Sequence, residues 1–225
     1  VTDNTRTTTT PLEAAAICLI CFGWPILNST MSIMQDMSSA ASSTPSASPF
    51  TDAQFLAGIF AEVFFSVIAL TTLHMRKFAI SALYPTPTLP GVGMGVLLYV
   101  VAVAFSMFFI SPLVATQTEQ PISHMMTQAS VTLPMIVLFS MINGVYEEMF
   151  LLGFLQRGLS QYSTSTAMGV SILVRMLYHT YQGPVGVLYV TGFGLLFSTY
   201  FARTKSLFPP VFAHILWDIV AFVFR

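Results

Sequence analysis

The sequence predicts an all-α fold, a polytopic bundle of transmembrane helices with about seven spans. Three observations carry this expectation. Hydrophobic residues fill 55% of the 225 positions, and charged residues only 8%. Eight Lys/Arg and nine Asp/Glu are too few to coat a soluble domain of this size. The apolar residues also gather in runs of about 20, the length that crosses a hydrocarbon core of about 30 Å. The chain is therefore expected to be an integral membrane protein with the lipid bilayer as its solvent. A formal net charge of −1 gives it no basic footprint for nucleic acid.

The runs fall at roughly 12–34, 53–74, 90–115, 130–157, 166–182, 184–202 and 207–224. The first holds the only two cysteines, Cys18 and Cys21. No second C-x-x-C completes a zinc site, so they read as small apolar residues of a retained helix. A Ser/Pro-rich connector, Ser38–Ser46, separates the first two runs. Glu62 in the second run is expected to bond a nearby Thr or Ser, with a place on a water path as the other reading. Three prolines in Tyr84–Pro90 break the chain before the third run. Gln182-Gly183-Pro184 allows only a tight turn between the fifth and sixth. Gly192 and Gly194 suit close helix approach. Trp24 and Trp217 read as interfacial or packing residues, and Trp217 can shape a substrate groove. His74 and His124 are expected to be solvated and uninvolved.

Basic residues set the orientation. With the N-terminus in the cytoplasm, Arg6, Arg76, Lys77, Arg157, Arg203 and Lys205 all fall inside. Asp36, Asp52, Glu119 and His124 fall outside, with no Lys or Arg there before Arg225.

The informative positions are those that break the apolar pattern. Glu147 and Glu148 are adjacent carboxylates in the fourth run. Each costs at least ~2.5–3.5 kcal/mol at membrane depth, so the pair needs a partner or a purpose. Arg175 with His179, and His214 with Asp218, are i,i+4 pairs in later runs, each on one helix face. Counting from the inner helix ends, Glu147 lies ~15 Å deep, His179 ~20 Å, His214 ~10 Å and Asp218 ~16 Å. One slab in the inner half of the bilayer holds all four.

Four segments carry a resemblance. They are Glu147-Glu148 followed by Gly153-Phe154-Leu155-Gln156, then Leu177-Tyr178-His179, then Arg203-Thr204-Lys205-Ser206-Leu207, then Ala213-His214-Ile215-Leu216-Trp217-Asp218. In this order they resemble the CAAX protease and bacteriocin-processing family of intramembrane proteases, also called CPBP or Abi. The resemblance divides the chain into 1–130, transmembrane helices without a motif, and 131–225, a CPBP-like catalytic core. It implies a helical intramembrane endopeptidase acting on a membrane-associated protein or peptide, in a bacterial plasma membrane. By position, Glu147 matches the lead glutamate and Glu148 its neighbour. His179 matches the second-motif histidine, and His214 with Asp218 matches the third motif. The eukaryotic activity on prenylated proteins is not carried over.

One position departs from the family. Its first motif usually reads Glu-Glu-x-x-x-Arg-Gly, and here the arginine position is Leu152. An arginine there, at i+4 from Glu148, would hold that carboxylate ionised. Either the chain is inactive, or Arg175 supplies the cation from a neighbouring helix. The second is the expectation, because Arg175 otherwise has no reason to be buried.

Two chemistries are open for the implied site. Without a metal, Glu147 takes a proton from water, His179 positions that water and His214 donates to the oxyanion. With zinc, Glu147, His179 and His214 are ligands and Glu148 is the base. Asp218 orients His214 in both. The alternative to an enzyme is an inactive relative that binds a membrane partner, such as a bacteriocin self-immunity protein. A proton-coupled transporter is a third class, but its usual paired halves are missing and the buried charges crowd into the last third.

Overall fold

The computed structural model describes residues 5–39, 48–114 and 121–224. Most of the Ser/Pro-rich connector, together with Glu119 and Arg225, lies outside the described residues. Among the described residues the fold is all-helical. In chain order the helices are α1 (Pro11–Ser39), α2 (Asp52–Met75), α3 (Leu89–Ile110), α4 (Pro121–Thr127), α5 (Leu133–Leu159), α6 (Thr164–Tyr178), α7 (Gly183–Thr204) and α8 (Phe208–Val223). Each of the seven expected apolar runs coincides with one of these helices, and α4 is the short extra one. Five of them, α1, α2, α3, α5 and α7, are long and apolar enough to cross a membrane. Length and composition thus support five of the seven expected spans. α8 is apolar but shorter, and α6 carries Arg175 among several Ser and Thr residues that lower its hydropathy.

Local chemistry sets the helix boundaries. Thr51 caps α2 and forms a capping box with Gln54. The Pro-rich break becomes an extended stretch in which the Thr88 hydroxyl accepts from the Gly91 amide at 3.1 Å and so starts α3. At the α6–α7 turn Gly183 has φ 85°, a left-handed conformation open to glycine at little cost. The middle of α5, Met149–Gln156, runs as a π-helix directly after the two carboxylates.

Large apolar side chains point outward as well as inward. Leu19, Phe60 and Phe108 are 67–75% exposed. A bundle apolar on both faces is what a lipid solvent requires. Inside, Phe22, Phe78, Phe150 and Phe154 fill a core among α1, α2, α5 and α6. Phe193, Phe197, Phe201 and Leu152 fill a second core beside α3 and α8. Gly144 lets α5 approach α8 closely, since a Cβ there would lie 2.9 Å from Cγ1 and 3.3 Å from the amide nitrogen of Ile215. That contact brings Glu147 and Glu148 against His214.

The two ends of the bundle differ in charge. At one end the amide of Arg6 donates to the Lys77 carbonyl at 3.0 Å. The amide of Thr9 donates to the Gly158 carbonyl at 3.1 Å, and Arg157 donates to the Lys205 carbonyl at 3.3 Å. Arg6 also pairs with Glu13 at 2.6 Å. These contacts gather the expected inner residues. At the other end Asp52 accepts from the amide of Thr132 at 2.8 Å and from its hydroxyl at 3.0 Å. Ser130 donates to the Phe50 carbonyl at 2.8 Å.

Candidate active site

The polar residues singled out in the sequence converge midway along α5. Glu148 is fully buried. Its two oxygens accept from Arg175 Nη2, both at 2.8 Å, and Oε1 accepts also from His214 Nδ1 at 2.7 Å. Glu147 accepts on Oε2 from Arg175 Nη1 at 3.3 Å and from the Tyr178 hydroxyl in a short bond. Among the described residues both donors to Glu147 therefore fall on one oxygen. Glu147 also lines a cavity of about 720 Å³, while Glu148 lies behind it, outside the cavity wall.

Arg175 occupies the centre. It is 1% exposed, lies over the Phe193 ring at 5.1 Å and reaches both carboxylates from α6. The cation beside Glu148 thus comes from Arg175 of α6, while Leu152 is completely buried in the apolar core of α3, α7 and α8. Two groups spread over two nitrogens suit a guanidinium better than an ammonium. Room for it comes from Gly194, where a Cβ would lie 3.1 Å from Cδ and 3.3 Å from Nε of Arg175. The close approach read from the glycines thus serves the site directly. Gly194→Val is expected to crowd Arg175 and cost about 1–3 kcal/mol, read as a lower unfolding temperature in detergent. Unchanged unfolding would mean that Arg175 has slack the geometry does not give it.

His214 presents its second nitrogen to the cavity. Nε2 lies 3.7 Å from Asp218 Oδ2, 4.0 Å from Glu147 Oε2 and 3.5 Å from the Asn143 amide nitrogen. Asn143 donates to Asp218 Oδ2 at 3.0 Å. His179 caps the C-terminal end of α6, and its Nδ1–H donates to the Arg175 carbonyl at 2.9 Å. That bond assigns the ring its tautomer and leaves Nε2 as an acceptor. Ser29 of α1 steadies this turn, donating to the Tyr178 carbonyl at 2.8 Å and accepting from the Tyr181 amide at 3.2 Å. His179 and Asp218 both line the same cavity as Glu147 and His214.

Asn143 and Tyr178 were not singled out as site residues by the sequence reading. Asn143 lies one helical turn before Glu147, so i,i+4 spacing was the signal that would have found it. Tyr178 sits beside the motif histidine. The reading of Glu62 as bonded to a local Thr or Ser does not hold. Glu62 lines the cavity, and its Oε2 is buried with no hydrogen-bond partner among the described residues. Its helix face turns it toward α5 and the cavity instead of toward a hydroxyl.

A metal has a conceivable seat. Glu147, Glu148 and His214 bring ligand atoms within 4.8 Å of one another. This trio differs from the anticipated set of Glu147, His179 and His214. The donor chemistry fits an ion poorly, because Arg175 already supplies the positive charge and takes both oxygens of Glu148. A divalent ion would have to displace a buried guanidinium from its only anionic partners among the described residues.

Comparison with known proteins agrees with this geometry. The family model described as type II CAAX prenyl endopeptidase Rce1-like matches residues 127–220. Over these residues the chain is similar to the CPBP family. The match takes in Asn143, both glutamates, Arg175, both site histidines and Asp218, the whole cluster just described. CPBP proteins are proteases, so the comparison supports a peptidase. No curated protein matches the chain. No solved structure matches it either.

Proposed function

We propose that the chain is an intramembrane endopeptidase that cleaves a membrane-associated protein or peptide. In this reading it sits in a bacterial plasma membrane with its N-terminus and basic end in the cytoplasm. The observation that carries the reading is the division of labour between the two glutamates. Glu148 is buried and fully bonded, and Glu147 faces the cavity with one oxygen held and the other available to water.

Glu147 takes a proton from water as the water oxygen attacks the substrate carbonyl. His179, through Nε2, accepts from the same water and aims it. The carbonyl oxygen becomes an oxyanion, which accepts from the Nε2–H of protonated His214 and from the Asn143 amide. Asp218 holds both donors in place. Collapse of the tetrahedral intermediate breaks the C–N bond, and Glu147 returns its proton to the leaving amine. Arg175 keeps the paired carboxylates from repelling each other throughout.

This scheme needs no ion. Activity of the purified protein in detergent is expected to survive a strong zinc chelator. Loss of activity restored by stoichiometric zinc would put an ion on Glu147, Glu148 and His214 and reverse the assignment of Arg175.

The function is tested by comparing protein termini in membranes that express wild type, Glu147→Ala or His179→Ala at matched levels. New termini are expected with wild type and with neither variant. Identical termini in all three would count against a protease. A membrane partner retained by all three would then support the binding role that Leu152 raises.

A further inference from the structure

The cavity has a direction. From Glu147 and His214 its wall continues through Asn143, Glu62, Ala57 and Ser32. It reaches Phe50, Gln54 and Phe222 beside α4. Those last residues belong to the end of the bundle where Asp52 caps Thr132 and Ser130 bonds Phe50. None of the loop residues at the basic end, Arg6, Arg76, Lys77, Arg157 or Lys205, contributes to the wall. Two further observations agree. Glu62, on the cavity wall halfway along α2, keeps a buried carboxyl oxygen with no hydrogen-bond partner among the described residues, a polar group placed between the glutamates and the far end. In addition, the basic end is closed over by its own contacts, including the Arg6–Glu13 pair and the Gln161 amide on the Thr9 carbonyl at 2.7 Å.

We propose that the catalytic cavity takes its substrate from the side of the membrane opposite the basic end, which is the outer side in the orientation proposed above. The substrate is then a peptide segment presented at or beyond the outer leaflet. Residues at the mouth fit such a segment. Phe50, Met125, Met126 and Phe222 offer apolar contacts, and Gln54 and Ser32 offer hydrogen bonds. Met in particular adapts to varied side chains. No basic side chain lines the mouth among the described residues, so an approaching cationic segment meets no like charge there. The inference rests on the endopeptidase reading for what is bound, and on the cavity alone for where it arrives.

Thiol accessibility tests it without needing a substrate. Single cysteines are placed on the cavity wall (Ser32→Cys, Ala57→Cys and Ala61→Cys), at the basic end (Ser206→Cys) and on the lipid face (Val100→Cys, a position 52% exposed). The unsubstituted chain with Cys18 and Cys21 serves as the blank. Spheroplasts and inverted vesicles are treated with a charged, membrane-impermeant methanethiosulfonate, which reacts with the thiolate and hence with thiols in water. The cavity thiols are expected to react in spheroplasts at least ~10-fold faster than Val100→Cys, and Ser206→Cys only in inverted vesicles. Cavity thiols that react from the same face as Ser206→Cys, or no faster than Val100→Cys, would overturn the proposal. If Ser206→Cys reacts in spheroplasts and the cavity thiols in inverted vesicles, the outer-side assignment fails through orientation. A failed endopeptidase reading is seen separately, in the termini left unchanged by Glu147→Ala and His179→Ala.

Discussion

Glu147→Gln is expected to lower peptide-bond cleavage by about 10²–10⁴-fold, the range a positioned general base contributes. Gln matches Glu in shape and can still accept from Arg175 and Tyr178 through its carbonyl oxygen. The fold should therefore persist, and the unfolding temperature in detergent should stay near wild type. Removing this carboxylate takes one negative charge from beside Arg175 but leaves Glu148, the closer partner at 2.8 Å. The loss should lie in kcat, with KM little changed, because Glu147 acts on water and not on substrate side chains. An active Glu147→Gln enzyme would remove Glu147 as the base. Glu148 would then have to be reconsidered despite its burial and its three short hydrogen bonds.

Arg175→Met should have the largest effect on stability, about 3–5 kcal/mol, the cost of breaking a buried ion pair by removing one partner. Met has a comparable stem and fills much of the space beside Gly194 and Phe193. What is lost is the cation, and Glu148 is left completely buried with only His214 to answer it. The assignment can be isolated by a double-mutant cycle. In a Glu148→Gln background the same Arg175→Met change should cost much less, because no uncompensated charge remains. Equal costs in the two backgrounds, read by thermal or denaturant unfolding in detergent, would show that the pairing is not the source of the effect.

Much of the site was legible because charge inside an apolar run is conspicuous. Glu147, Glu148, Arg175, His179, His214 and Asp218 all break such runs, and i,i+4 spacing put Arg175 with His179 and His214 with Asp218 on common faces. The expectation that Arg175 supplies the cation missing at Leu152 came from its depth in an apolar run and its place one turn before His179. Neutral residues gave no such signal. Asn143 and Tyr178 sit among residues of ordinary membrane-helix composition, and only the crossing of α5 with α8 and α6 reveals what they bond. The span count was harder to read for a related reason. Arg175, which pairs with both glutamates, lowers the hydropathy of α6 below that of a free-standing span, and packing inside the bundle supplies what lipid does not. The direction of the cavity depends on which faces meet, which hydropathy along one strand of sequence does not encode.

The π-helical stretch Met149–Gln156 divides α5 into two halves that obey different neighbours. Ahead of it, Gly144 is pressed on Ile215 and fixes how the carboxylates face α6 and α8. At its far end the buried Gln156 is tied to the Ser198 carbonyl of α7 at 2.8 Å. An α-helix advances ~100° per residue, so one continuous α-helix would lock these two attachments into a single angular phase. The wider turn works like a gear of different pitch between two shafts. It lets the upper half be timed by the chemistry and the lower half by the docking of α7, with neither forcing the other out of step.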